Sequence, residues 1–282
     1  MRKEFLKRYE KWGYPQQTTT TLPRVVRVNT LVATKATVLK NSDMKLKAIS
    51  FLPNGFVATS KNNIVSSPAY LYGQIYVQEA ASQLPALVLN PKKTDSVLDM
   101  CAAPGSKTTQ LAALMENEGT LIALDLRAKR LEKLCFNLER CGVQNTTVIK
   151  KDAEYIEDFD VLFDKILLDA PCSGNFAADA NWFEKRQLSD VKTNTETQKK
   201  LIEAAIEVLK PGGVLVYSTC SLEIEENEEI VEYALEKFPV SLQKIDISIG
   251  ATGLTEKTKL CKRLWPTQHK TQGFFIAKFV KE

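Results

Sequence analysis

From residue 96 onward the chain repeats one pattern, a short run that is almost wholly apolar followed by a longer stretch with helical periodicity. The runs are SVLDM (96–100), TLIALD (120–125), TTVIKKD (146–152), KILLDA (165–170), VLVYSTC (214–220) and GFFIAKFV (273–280). Between them lie TTQLAALM, AKRLEKLCFNLERCG and TETQKKLIEAAIEVLKPGG, the last with Leu201, Ile202, Ala205, Val208 and Leu209 on one stripe. Strands apolar on both faces must be covered on both faces, so the alternation predicts an α/β fold around a mostly parallel sheet. Such sheets bind ligands beyond the carboxyl ends of their strands.

The first residues read differently. A short amphipathic helix is expected over about residues 2–12, then a linker, YPQQTTTTLPR (14–24). RVVRVN (24–29) alternates like a strand, TKATVLKNSDMKL is helix-like, and KAISFLPNGFVATS reads as a hairpin turning at Pro53 to Gly55. The expected organisation is an N-terminal α/β unit with a leading helix over 1–67 and a second domain over 68–282. Net charge is +4, yet residues 1–61 hold 12 Lys/Arg against 3 acids, so the remainder is slightly acidic. A basic arm on an acidic body suggests a polyanionic partner such as RNA.

Several classes are disfavoured. No apolar run approaches the roughly 20 residues that span a bilayer, and the start is charged, so a cytoplasmic protein with no membrane partner is expected. The 6 cysteines include no CxxC pair, and His269 is the single histidine. Reduced thiols, no metal and no histidine-based catalysis follow.

Successive runs stop in polar or reactive residues: Asp99 near Cys101, then Asp125, Asp152, Asp169 near Cys172, and Cys220. After the first comes DMCAAPGSKTTQLA (99–112), a small-residue turn that leads into a helix and lets a ligand approach the backbone. It is neither GxGxxG nor a P-loop, because Gly105 is its only glycine. A dinucleotide needs more glycines around its pyrophosphate; S-adenosylmethionine has no phosphate and is the better fit. Asp125, 20 residues past Gly105, is placed to accept from ribose hydroxyls, and Asp152 to face adenine.

Two thiols, Cys172 and Cys220, end neighbouring runs beside Asp169. Methylation at carbon 5 of a pyrimidine needs these parts: a thiolate adds at carbon 6, and a hydrogen bond at N3 stabilises the developing charge. A base then removes the carbon-5 proton and the thiol is expelled. Pattern alone leaves the two thiols interchangeable.

These residues resemble the Nop/Sun (NSUN, RsmB-type) RNA cytosine-5 methyltransferases. FDKILLDAPCSG (163–174) is similar to the family signature; DMCAAPGSKTTQLA, DLRAKRL (125–131), YSTCSLEIEENE (217–228), RLWPTQHKTQGFFIAK (263–278) and YVQEAASQLPALVLNP (76–91) resemble other family segments. The likeness covers about residues 68–282, and RVNTL (27–31) resembles the family's small RNA-binding unit. It implies a Rossmann-like class I methyltransferase sheet, mostly parallel with its last strand antiparallel, and an N-terminal α+β RNA-binding unit. It also implies Cys220 as nucleophile, Cys172 in product release, Asp169 at cytosine N3 and Lys107 beside the target base. S-adenosylmethionine contacts would fall on Cys101, Ala102, Ala103, Pro104, Gly105, Ser106, Lys107, Asp125, Arg130, Asp152 and Asp169, with Ser106 standing where PGGK is more usual. The compact form resembles archaeal-type tRNA enzymes, so tRNA is the expected partner of a monomeric enzyme. The alternatives are an rRNA methyltransferase, an inactive RNA-binding assembly factor and a DNA cytosine methyltransferase.

Smaller features carry blander expectations. The acids of EIEENEE (223–229) read mostly as a solvated face, and His269 as a surface or packing residue. Trp12, Trp182 and Trp265 are candidates for base stacking, with core packing the safer reading for Trp265. Cys135 and Cys141 receive no role.

Overall fold

The computed structural model describes residues 2–14, 21–156 and 159–282; most of the linker expected over 14–24 lies outside the described residues. The chain opens with helix α1 (Arg2–Lys11). Strands β1 (Val25–Val28), β2 (Lys45–Ala48), β3 (Gly55–Thr59) and β4 (Ile75–Val77) form a small antiparallel sheet in the order β2-β3-β1-β4. Helix α2 (Lys35–Asn41) covers it through Val38, which packs on Val26, Val28 and Phe56; α3 (Pro68–Leu71) leads into β4. The sheet's edge strand thus lies past residue 67. α1 stands apart from it, because its buried Phe5 and Tyr9 join an aromatic cluster with Phe176, Trp182, Phe183 and Trp265.

Two local expectations need correction. The helix-like stretch ends at Asn41, and Lys45–Ala48 is a strand whose lysines point outward. An edge strand with one solvated face lacks the apolar alternation that would reveal it. Pro53–Gly55 closes a longer connection from Ala48 to Gly55 rather than a tight hairpin turn.

The main sheet is built from β5 (Ser96–Asp99), β6 (Thr120–Asp125), β7 (Thr146–Lys150), β8 (Phe163–Asp169), β9 (Leu209–Thr219), β10 (Val240–Leu242), β11 (Ala251–Thr252), β12 (Lys262–Leu264) and β13 (Phe274–Lys281). Its order is β11-β12-β13-β9-β8-β5-β6-β7, with β10 also on β13. The strands from β7 to β9 are parallel, and β13 runs antiparallel to β9, as expected for a Rossmann-like sheet whose last strand reverses. The additional antiparallel strands β10 to β12 are too short to register as apolar runs. The chain winds outward from β5 to β7 and returns to β8 on the other side, so the switch point lies between β5 and β8.

The helices are α4 (Leu84–Leu89), α5 (Ser106–Leu114), α6 (Ala128–Arg140), α7 (Trp182–Lys185), α8 (Leu188–Glu207), α9 (Glu228–Lys237) and α10 (Pro266–His269). Side chains alternate across β8: Ile166 and Leu168 pack with Leu201, Ile202 and Ala205 of α8, while Leu167 packs on the other face with Leu84 of α4 and Leu111 of α5. Among the described residues no helix is long and apolar enough to cross a membrane.

The small sheet is bolted to this body through polar groups. Arg27 on β1 is buried and donates to Gln78 Oε1 and Thr109 Oγ1, each at 2.8 Å. Asn29 Nδ2 donates to the carbonyls of Gly73 at 2.9 Å and Cys141 at 2.8 Å. Gly73 has φ +68°, and a Cβ there would stand 1.8 Å from the Arg140 carbonyl oxygen. Gly73→Ala is therefore expected to cost roughly 3 kcal/mol or more. Gly13→Ala, at φ +77° in open space, should cost about 1 kcal/mol. Urea unfolding of both variants checks this; equal costs would contradict the close approach.

Candidate active site

The parallel register of β8 and β9 sets Asp169 opposite Ser218, and the Ala170 N–H donates to the Ser218 carbonyl at 2.9 Å. Both chains then leave the sheet together, so the sulfurs of Cys172 and Cys220 meet at 3.3 Å. Asn175 Nδ2 donates to the Cys220 carbonyl at 2.7 Å and to that of Gly273 at 3.1 Å, fixing this crossing. The first turn of α5 sends Lys107 across the switch point. Its Nζ lies 2.6 Å from Asp169 Oδ2 and donates to Ser82 Oγ at 3.0 Å. The other carboxylate oxygen, Asp169 Oδ1, accepts from Ser218 Oγ at 2.7 Å.

This contact makes the two thiols unequal. The Cys172 hydrogen bond holds Cys220 below the ordinary thiol range; the Lys107 charge helps, while burial and the Asp169 charge oppose it. Cys172 is pushed well up, first by that same bond, then by burial and by the charges of Cys220 and Glu226. The arrangement favours a thiolate on Cys220 and an S–H donor on Cys172.

The second half of the site is the turn between β5 and α5. Gly105 caps α5 with φ 104°, and a Cβ there would stand 2.9 Å from Leu134 Cδ1. Asn137 Nδ2 donates to the Pro104 carbonyl at 2.9 Å, and Arg130 donates to that of Ala103. Arg130 also pairs with Asp125 at 3.3 Å, so α6 holds both the turn and the acid that ends β6. Ser106 is accommodated as the first residue of α5, its carbonyl accepting from Thr109 Oγ1 at 3.1 Å. Asp152 stands just past β7, where its Oδ1 accepts the Glu154 N–H at 3.0 Å. Beneath the turn Asp99 is buried; Oδ2 accepts from Thr108 Oγ1 at 2.8 Å, and Oδ1 has no hydrogen-bond partner among the described residues.

The structure thus brings Lys107, Asp169, Cys172 and Cys220 into one cluster and ties Ala103, Pro104, Asp125 and Arg130 into its neighbour. Sequence reasoning missed Ser82, Asn175 and Ser218, although YSTC and PCSGN contain two of them. The reading of EIEENEE as a solvated face is corrected: Glu223, Glu226 and Glu228 are fully buried. Glu223 accepts from Tyr9 Oη at 2.7 Å and Arg8 Nε at 3.1 Å, Glu226 accepts the Ser173 N–H at 2.8 Å, and Glu228 pairs with Arg263. Trp182 and Trp265 are buried among aromatic side chains and are not free to stack on bases. His269 Nδ1 accepts the Trp265 N–H at 2.8 Å, a packing role.

A family model described as 16S rRNA methyltransferase RsmB/F matches residues 86–280. Ribosomal RNA small subunit methyltransferase F of Vibrio parahaemolyticus is 38% identical over 279 residues, covering 92% of this chain and 57% of that protein. The tRNA (cytosine(49)-C(5))-methyltransferase of Pyrococcus abyssi is 40% identical over 227 residues, covering 75% of this chain and 72% of that protein. A solved structure of a methyltransferase homolog protein from Pyrococcus horikoshii matches with TM-score 0.86 at 37% identity, covering 99% of both chains. The chain spans little more than half the length of the bacterial rRNA relative. It belongs to the RsmB/F methyltransferase family.

Burial pushes the Asp99 carboxyl up from 3.8 to about 7. The folded chain then binds this proton more tightly than the unfolded chain. The stability it contributes is complete below the unfolded value and is lost as pH rises through about 7. Asp99→Asn is expected to flatten the fall in stability between these limits, by at most about 1.4 kcal/mol per pH unit. Urea unfolding across that range tests it, and an unchanged slope would contradict the assignment.

Proposed function

We propose that this RsmB/F family member transfers a methyl group from S-adenosylmethionine to carbon 5 of a cytosine in RNA, with tRNA as the favoured substrate. The observation that carries this reading is the Cys172–Cys220 contact beside the Lys107–Asp169 pair, at the carboxyl edge of the sheet.

The β5–α5 turn fits the cofactor. It has a glycine at φ 104°, a backbone conformation that side-chain-bearing residues rarely adopt, the start of α5 and the Asp125 carboxylate at the neighbouring strand end. Residues Cys101 to Lys107, Asp125, Arg130, Asp152 and Asp169 would hold S-adenosylmethionine, with Asp125 accepting from ribose hydroxyls and Asp152 near adenine. Bound there, it supplies an electrophilic methyl group.

The protein's own groups act on a base turned out of its stack. The Cys220 thiolate forms a bond to carbon 6, and Asp169, steadied by Lys107 and Ser218, hydrogen-bonds N3 as charge develops there. After carbon 5 is methylated, a base removes its proton, the carbon 5–carbon 6 double bond re-forms and the bond to Cys220 breaks. Cys172, one hydrogen bond from the departing sulfur, stabilises that sulfur as a thiolate.

The basic small sheet is assigned the RNA backbone. Arg24, Lys45, Lys47 and Lys61 are exposed on or beside its strands, and such cations neutralise phosphates whatever the sequence. The RNA-gripping unit is then the small sheet from β1 to β4, which extends past the boundary at 67 read from the sequence, and the catalytic body follows it, with α1 packed against that body. A monomeric cytoplasmic enzyme is the form we assign. The Pyrococcus abyssi relative supports tRNA; the Vibrio relative supports rRNA as the second reading.

Cys220→Ala should lower methyl transfer by roughly 10³-fold or more while leaving thermal unfolding near wild type. Cys172→Ala should accumulate a protein–RNA adduct that survives a denaturing gel, and adduct in Cys220→Ala instead would reverse the two roles. With tritium-labelled methyl donor and total RNA, label is expected in the tRNA fraction. Label confined to rRNA would sink the tRNA preference.

A further inference from the structure

Glu226 is fully buried, yet its carboxylate bonds to groups that flank the thiols rather than to the thiols themselves. Oε1 accepts the Ser173 N–H at 2.8 Å and Oε2 accepts the Ser173 hydroxyl at 2.6 Å. Gln198 of α8 donates to Oε1 at 3.3 Å and to the Pro171 carbonyl at 2.8 Å. Both neighbours of Cys172 in the chain are therefore held by one carboxylate and one amide. On the other side, Ser173 Oγ lies 3.2 Å from Ser221 Oγ, and Ser221 follows Cys220 directly. The Glu226 backbone is itself pinned, because Tyr217 Oη on β9 donates to its carbonyl at 2.6 Å.

We propose that Glu226 is the positioning residue of the two-thiol pair: it fixes the Cys172 loop against the Cys220 loop and so maintains the sulfur–sulfur hydrogen bond. This rests on the methyl-transfer reading above and deepens it. The chemistry of the position calls for a carboxylate. Ser173 N–H, Ser173 O–H and Gln198 N–H all donate toward it, and an ionised carboxylate is the side chain that only accepts. A glutamine would lose the charge and force the Ser173 hydroxyl to accept, turning its proton to Ser221, and an aspartate would fall one methylene short. Its negative charge also contributes, after the Cys220 bond and burial, to keeping Cys172 protonated.

The test compares wild type, Glu226→Gln and Ser173→Ala, the last removing the hydroxyl that bonds Oε2 and meets Ser221 Oγ while keeping the Ser173 N–H on Oε1. In steady-state methylation, Glu226→Gln is expected to lower kcat about 100-fold with KM for RNA and for S-adenosylmethionine within about twofold, because misplacement near the chemistry affects turnover more than binding. It should also retain denaturant-resistant RNA adduct, since release depends on Cys172. Ser173→Ala should show the same two changes at about tenfold, and it decides the matter if Glu226→Gln does not fold.

Independently of RNA and cofactor, diamide oxidises the two thiols to a disulfide, taking up their two protons and two electrons. Wild type should cross-link fast, and Glu226→Gln about tenfold more slowly. Wild-type kcat with no retained adduct in both variants, or cross-linking at the wild-type rate or faster, would overturn the positioning role. Slowed cross-linking in a protein whose wild type transfers no methyl group would overturn the methyltransferase reading and leave the positioning role standing.

Discussion

The hydrogen bond between two sulfurs, made possible by the parallel register of β8 and β9, is the contact on which the rest of the site depends. A pair of strand ends opposite one another delivers two loops to one place, and the pairing Asp169 with Ser218 sets where each loop begins. Shifting β8 by one residue against β9 would turn Asp169 and the start of the Cys172 loop to the other face of the sheet, away from Cys220. The register is secured by packing: Ile166 and Leu168 on one face and Leu167 on the other are all fully buried. Core packing and chemistry are thus specified by the same few residues.

Around this contact the structure accepts a costly arrangement. Three buried carboxylates follow Cys220 within a few residues, and each ties the segment to a different element: Glu223 to α1, Glu226 to the Cys172 loop and α8, Glu228 to Arg263 of β12. Burial pushes the Glu223 carboxyl up to about 7 despite the opposing effects of Tyr9 and Arg8. Replacing such pairs by apolar residues is often neutral or stabilising, whereas removing one partner is strongly destabilising. Their value here is geometric: an apolar contact would leave the loop beyond Cys220 free to slide, and directional bonds do not.

Much of this was legible in the sequence because the parallel core writes itself as apolar runs whose last residues carry the chemistry. Asp99, Asp125, Asp169 and the two cysteines could be placed at one sheet edge from their positions alone. What escaped notice was set by distant partners. Nothing local to EIEENEE shows that Glu223 will meet Arg8, 215 residues away, or that Glu228 will meet Arg263. The edge strand Lys45–Ala48 was hidden for a related reason, since its lysines face solvent and only its backbone pairing with β3 makes it a strand. Family likeness separated the roles of Cys172 and Cys220, because the 3.3 Å sulfur–sulfur contact by itself admits either one as the donor.

That asymmetry can be read directly by locating the bond to RNA. Incubating the wild-type protein with S-adenosylmethionine and RNA carrying 5-fluorocytidine, whose carbon 5 cannot lose a proton after methylation, should trap the enzyme on its substrate. Proteolysis and mass spectrometry then identify the modified residue. A nucleotide attached to Cys220, with Cys172 recovered as a free thiol, is the expected result. Attachment to Cys172 would contradict it.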